Sequence, residues 1–148
     1  MRHLRWFAAV LVVAGVTVSG CGARGPGLGE ASNNAVTVEA IDGTDVQRVI
    51  LAPEAAQRLG VRTEAVRSAP AGGEARTVIP FAAVFYDADG ITWTFTSPTK
   101  LTFVRQRITV DRIEGDLAYL REGPALGTAV VTVGAAELFG AEYGVGGE

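Results

Sequence analysis

Apolar and polar positions alternate most persistently between Arg76 and Gly134, and turn residues interrupt the alternation at short intervals. That pattern predicts a small antiparallel β domain. Arg76 to Ile79 leads into Pro80, which suits a strand start or an edge. Ala82 to Tyr86 continues extended, and Asp87-Ala88-Asp89-Gly90 reads as a hairpin turn. Ile91 to Thr96 then alternates, with Ile91, Trp93 and Phe95 expected toward the core and Thr92, Thr94 and Thr96 away from it. Ser97-Pro98-Thr99 is the next predicted turn. Beyond it the parity slips, since Leu101 and Phe103 fall on one phase and Ile108 and Val110 on the other. A one-residue change of phase inside an extended run predicts a β-bulge near Arg105 to Arg107. Glu114-Gly115-Asp116 turns the chain, Leu117 to Arg121 and Thr128 to Val133 are strands, and Ala135 to Phe139 is a brief helix.

The first half adds strands over Val36–Ala40, Val46–Leu51 and Val61–Val66. Between the last two, APEAAQRLG predicts a short helix, with Pro53 in the first turn, Glu54 at the positive end and Gly60 as the stop. A helix of about seven residues is too short to be stable alone and has to pack on the sheet. Ser68 to Glu74 reads by composition as a loop. The expected class is mainly β: an antiparallel roll or barrel-like domain over residues 36–140 with one or two short helices, then a tail over 141–148.

The N-terminus follows a different logic. Arg2, His3 and Arg5 precede an apolar run of 13 residues from Trp6 to Val18, shorter than the roughly 20 residues a spanning helix needs. The order reads as a secretory signal over residues 1–20. It ends Val18-Ser19-Gly20-Cys21, which resembles the bacterial lipobox. That resemblance implies acylation of Cys21, cleavage before it, and membrane lipid as a partner on the extracytoplasmic side. The chain's single cysteine has no internal disulfide partner. Residues 22–35, small and without apolar periodicity, predict a flexible linker with a reach of about 20 Å.

Composition narrows the function. Hydrophobic residues at 48% and charged residues at 20% exclude wholesale disorder. The formal charge is −3, and loss of Arg2 and Arg5 with the signal makes it −5. An acidic chain without a basic stripe is poorly suited to phosphate backbones, so no nucleic-acid partner is expected.

Two stretches resemble a known family. Leu51–Val66 (LAPEAAQRLGVRTEAV) is similar to the segment before the first folded strand of the periplasmic adaptor subunits, or membrane fusion proteins, of bacterial efflux pumps. Thr77–Leu138 is similar to their final segment, through Val78-Ile79-Pro80, Ala83-Val84, Asp89-Gly90 before Trp93, Val130-Val131, Gly134-Ala135 and Leu138. In those adaptors a barrel, a lipoyl-like domain and a helical hairpin separate the two pieces, whereas here the Ala69–Ala75 stretch joins them. The resemblance implies the membrane-proximal domain alone, docking on an integral membrane transporter, without the parts that reach an outer-membrane channel.

Catalytic chemistry is scarce. The one histidine, His3, lies in the signal, so no mature Ser-His or Cys-His pair and no Cys/His zinc site can be assembled. No cofactor is expected. Asp87 and Asp89 have oxygen chemistry suited to a hard cation, but Asp and Gly are also ordinary hairpin residues, and that plainer reading is taken. Acidic groups around Glu39, Asp42 and Asp45, and around Asp111, Glu114 and Asp116, fall at turns and read as solvated faces. Arg105 and Arg107, at the expected bulge, are the candidate partner contacts. The expected function is a lipid-anchored, non-catalytic interaction module of an efflux-type transporter. The alternative is a surface lipoprotein binding a small ligand or an envelope polymer, which an exposed Trp93 lining a pocket would favour.

Overall fold

A computed structural model describes residues 35–144. The expected signal, Cys21, residues 22–34 of the expected linker and the final VGGE lie outside the described residues. The domain is mainly β, with two α-helices and antiparallel sheets that do not close into a barrel.

In chain order the elements are β1 (Val36–Ala40), β2 (Gln47–Leu51), α1 (Pro53–Leu59), β3 (Arg62–Ala65), β4 (Arg67–Ala71) and β5 (Glu74–Pro80). A single 3₁₀ turn (Phe81–Ala83) leads to β6 (Phe85–Tyr86), β7 (Thr92–Thr99), β8 (Thr102–Arg107), β9 (Thr109–Glu114), β10 (Leu117–Glu122), β11 (Ala129–Val133) and α2 (Ala135–Glu142). The first sheet has the order β1-β2-β8-β7-β11-β3, with β6 beside the start of β7. The second has the order β4-β5-β10-β9.

Two hydrophobic clusters lie on opposite faces of the first sheet. Val49, Leu51, Phe95, Phe103 and Val131 face Leu138 of α2, and Ala56 and Leu59 of α1 pack against the same cluster. On the other side Val130 meets Ile79, Ala118 and Leu120 of the second sheet, together with Val66, Ala83 and Ile108. The short helices form because they have this surface to cover. Pro53 opens α1, and Gly60 closes it in the left-handed region at φ 64, its amide donating to the Ala56 and Gln57 carbonyls. Gly134 precedes α2 at φ 93, and a Cβ there would stand 2.9 Å from Val61 Cγ2, so the entry to α2 needs glycine twice over.

Several expectations are corrected. The slip in phase after Phe103 is not a bulge at Arg105–Arg107: β8 and β9 belong to different sheets, and Ile108 is the buried pivot between them. Its amide donates to the Thr92 carbonyl (3.0 Å). Val66 is the matching pivot between β3 and β4, bonded through its amide to Thr128 and through its carbonyl to Gly127. Register breaks lie elsewhere: in β7 at Ser97–Pro98 opposite β8, in β11 opposite β3, and between β9 and β10, where the register skips Asp111 on one strand and Arg121 on the other. The two extra residues pair, Arg121 Nε donating to Asp111 Oδ1 at 2.6 Å.

Ser68 to Glu74 is not a loop. It is the β4–β5 hairpin, turned by Gly72 and Gly73 at φ 60 and 88, with Ala71 opposite Glu74. Such paired positive angles are those of a two-residue hairpin turn. The turn expected at Ser97–Thr99 lies instead at Lys100–Leu101, where Thr99 pairs with Thr102 and Leu101 has φ 62. α2 is longer than expected and runs through Glu142 into the presumed tail. The threonine phase of β7 does not face solvent either: Thr94 is fully buried and Thr96 nearly so.

The Thr94 hydroxyl has no hydrogen-bond partner among the described residues. An unpaired buried hydroxyl costs roughly 1–3 kcal/mol. Thr94→Val, which keeps the shape, is therefore expected to stabilise the domain by about 1 kcal/mol. Phe95→Ala, in the opposite cluster, is expected to cost about 3–5 kcal/mol. Urea unfolding of the two variants measures both signs.

Candidate functional site

The largest concentration of polar chemistry in the interior is on the helix-covered face of the first sheet. β8 presents Arg105 there, in phase with Phe103 and one pair away from Trp93. α2 presents Glu142 one helical turn after Leu138, so a residue on the buried stripe of the helix is a carboxylate. The two side chains are 3% and 1% exposed, and Arg105 Nε donates to Glu142 Oε1 at 2.8 Å. The same oxygen accepts the Gln47 amide (3.0 Å), and Gln47 Nε2 donates to the Glu142 carbonyl (3.1 Å). Arg105 Nη2 donates to the Asp45 carbonyl (3.1 Å). One arginine therefore ties together the loop before β2, strand β8 and the end of α2.

Aromatic rings enclose the pair. The guanidinium carbon is 4.3 Å from the Trp93 ring centroid and 5.6 Å from that of Tyr143. Phe139 lies against Tyr143 (4.8 Å) and edge-on to Phe85 (5.5 Å), which stacks on Phe95 (5.1 Å). Cation–π contact favours the guanidinium where water is excluded. Burial works against the charge of Arg105, but the hydrogen bond and charge of Glu142 outweigh it, and its pKa is raised. The arrangement is a lock that orients α2.

The two arginines expected at the surface have different surroundings. Arg105 is buried and paired with Glu142. Arg107, the last residue of β8 and opposite Trp93, is exposed and keeps its candidacy as a partner contact. The two were expected to act as a surface pair because a bulge was placed between them; with β8 regular, only the end of the strand emerges. Glu142 was assigned to the tail. The i, i+4 spacing from Leu138 was the available signal, obscured because a carboxylate seldom occupies a buried stripe.

Asp87 has its own local role. Its Oδ1 accepts the amides of Asp89 (3.0 Å) and Ile91 (2.8 Å), and its Oδ2 accepts Trp93 Nε1 (2.8 Å). Both oxygens serve the hairpin, as the turn reading requires, and Asp89 supplies only its amide. Trp93 is 8% exposed and held between Asp87 and Arg105. The concavity at the β4–β5 hairpin is open and lined by Ser68, Ala69, Pro70, Gly73, Glu74 and Ala75, without an imidazole or thiol. No cluster of three or more potential metal-ligating side chains is present among the described residues, and no described helix is long and apolar enough to cross a membrane.

Comparison with family models, with curated proteins and with solved structures found no match.

Two outcomes test the electrostatics. Glu142→Ala strands a buried guanidinium and is expected to cost about 3–5 kcal/mol, whereas Arg105→Met combined with Glu142→Leu recovers most of that loss in urea unfolding. The Asp87 carboxyl is held below its ordinary value of 3.8, first by the Trp93 hydrogen bond and then by the amides of Ile91 and Asp89. A depressed carboxylate stabilises the fold above its unfolded pKa and loses that contribution as pH falls through the folded one. Acidification below 3.8 should therefore weaken the hairpin and change Trp93 fluorescence, and Asp87→Asn should remove that step.

Proposed function

We propose that the chain is an envelope lipoprotein, held to the extracytoplasmic face of a membrane by acyl chains on Cys21, whose β domain is a non-catalytic docking module for an integral membrane transporter. In this reading it is an accessory or reduced relative of an efflux adaptor. The supporting observation is the way the two family-like stretches meet. The Leu51–Val66 stretch contributes the end of β2, all of α1 and β3, and β3 pairs along β11 from the Thr77–Leu138 stretch. Leu51, Ala56, Leu59 and Val61 share one core with Phe95, Val131 and Leu138. Two segments that adaptors keep far apart in sequence here build one sheet and one core, joined by the β4–β5 hairpin. That is the geometry expected of a membrane-proximal domain standing alone.

The chemistry agrees with a docking role. The buried arginine is committed to the Glu142 lock, the Asp87 carboxylate to a turn, and the tryptophan to the interior. What remains for a partner is a mixed surface that includes Arg107 and exposed apolar side chains such as Phe81, Tyr86 and Leu126.

A photo-crosslinking residue at Arg107, in the full chain in its native membrane, tests the proposal. Recovery of a permease subunit is the expected result. Recovery of cell-wall polymer alone would overturn it. Cys21→Ser is expected to release the chain from the membrane fraction, read by fractionation.

A further inference from the structure

Each sheet ends in strands that present unpaired backbone groups, and three of the four terminal strands carry features that discourage another strand. β4 contains Pro70, β9 carries the Asp111 bulge and a run of charge, and β3 has four residues with a register break opposite it. β1 differs. It pairs with β2 over five regular positions, contains no proline and one charge, and no described strand covers its outer edge.

The register determines which groups face outward. The Ala35 carbonyl accepts the Ala52 amide, and the Leu51 amide turns away to Leu101 in the β7–β8 turn. By the alternation of an antiparallel ladder, Ala35, Thr37 and Glu39 bond to β2, while the backbone groups of Val36, Val38 and Ala40 point away from it. These are also the apolar residues of the strand, and Val38 is 37% exposed.

We propose that this edge pairs with β1 of a second copy of the chain, antiparallel about a two-fold axis at Val38, making one continuous sheet across the dimer. The strand is complementary to itself in that arrangement. Val38 opposes Val38 of the partner subunit, Val36 opposes Ala40, and Thr37 opposes Glu39. Each outward residue exchanges both of its backbone hydrogen bonds. No like charges stand opposite one another, and Glu39 is already held by Arg48 at 3.1 Å. An interface of one five-residue strand falls short of the roughly 1,200 Å² that stable complexes bury, so the dimer is weak in dilute solution and favoured where copies are concentrated. The inference rests on strand geometry and is independent of the transporter reading, so a failure at Val38 and a failure at Arg107 are separate results.

The test is oxidative crosslinking of the full chain in its native membrane, with the unsubstituted chain as the baseline for Cys21. A two-fold axis at Val38 sets the paired Cα atoms about 5.5 Å apart, within disulfide reach. Val38→Cys should then join copies of the chain. Thr37→Cys places its cysteines diagonally, roughly 7–8 Å apart on the other face, and should not exceed the baseline. Val38→Pro, which removes an outward-facing donor and no bond to β2, should abolish concentration-dependent dimerisation in sedimentation of the detergent-solubilised chain. Equal crosslinking at positions 37 and 38, a Val38→Cys chain that stays monomeric, or an adduct with a different protein instead of a second copy would each overturn the proposal.

Discussion

Strand β7 has no wet side over its central residues. Trp93 and Phe95 face the helices, Thr94 faces the second sheet, and all three are buried. A strand buried on both faces obliges the chain to supply a layer for each. α1 and α2 meet that demand on one face, although neither is long enough to persist alone. The β4–β5 and β9–β10 hairpins meet it on the other, joined through the β5–β10 pairing into a separate four-stranded sheet. The buried pivots Val66 and Ile108 follow from the same demand, because the chain must leave the first sheet twice to build the second.

The Arg105–Glu142 pair adds specificity at some cost in desolvation. A well-packed apolar pair in its place would come close to it in stability. Only a carboxylate at the right turn of α2, though, can answer the guanidinium between Trp93 and Tyr143. The pair therefore joins the end of α2 to β8 and to the loop before β2 in one fixed geometry. A module whose proposed role is to be recognised has use for such rigidity, since a fixed surface loses little entropy when it is bound.

Much of the secondary structure was legible because it rests on local rules. Pro53 and Gly60 bracket α1, and the Asp87–Gly90 turn and the alternation of Ile91 to Thr96 are encoded within a few residues. β4 was missed because a strand exposed on an edge and rich in Ala and Pro has no apolar alternation to read. The phase change after Phe103 was detected correctly and explained wrongly. A bulge and a change of sheet produce the same slip in a linear pattern, and they differ only in which strands lie alongside.

From the residues alone came the class of fold, the boundaries of the helix at Pro53, and the expectation that few groups suit catalysis. These depend on composition and on spacing within one turn or one strand. The tertiary structure alone decided that Thr94 is interior, that Arg105 is a buried lock while Arg107 stays on the surface, and that Glu142 belongs to the core. Burial of a polar side chain depends on what packs over it from elsewhere in the chain. Glu142 is 37 positions from Arg105 and 95 from Gln47, and no local pattern records contacts of that range.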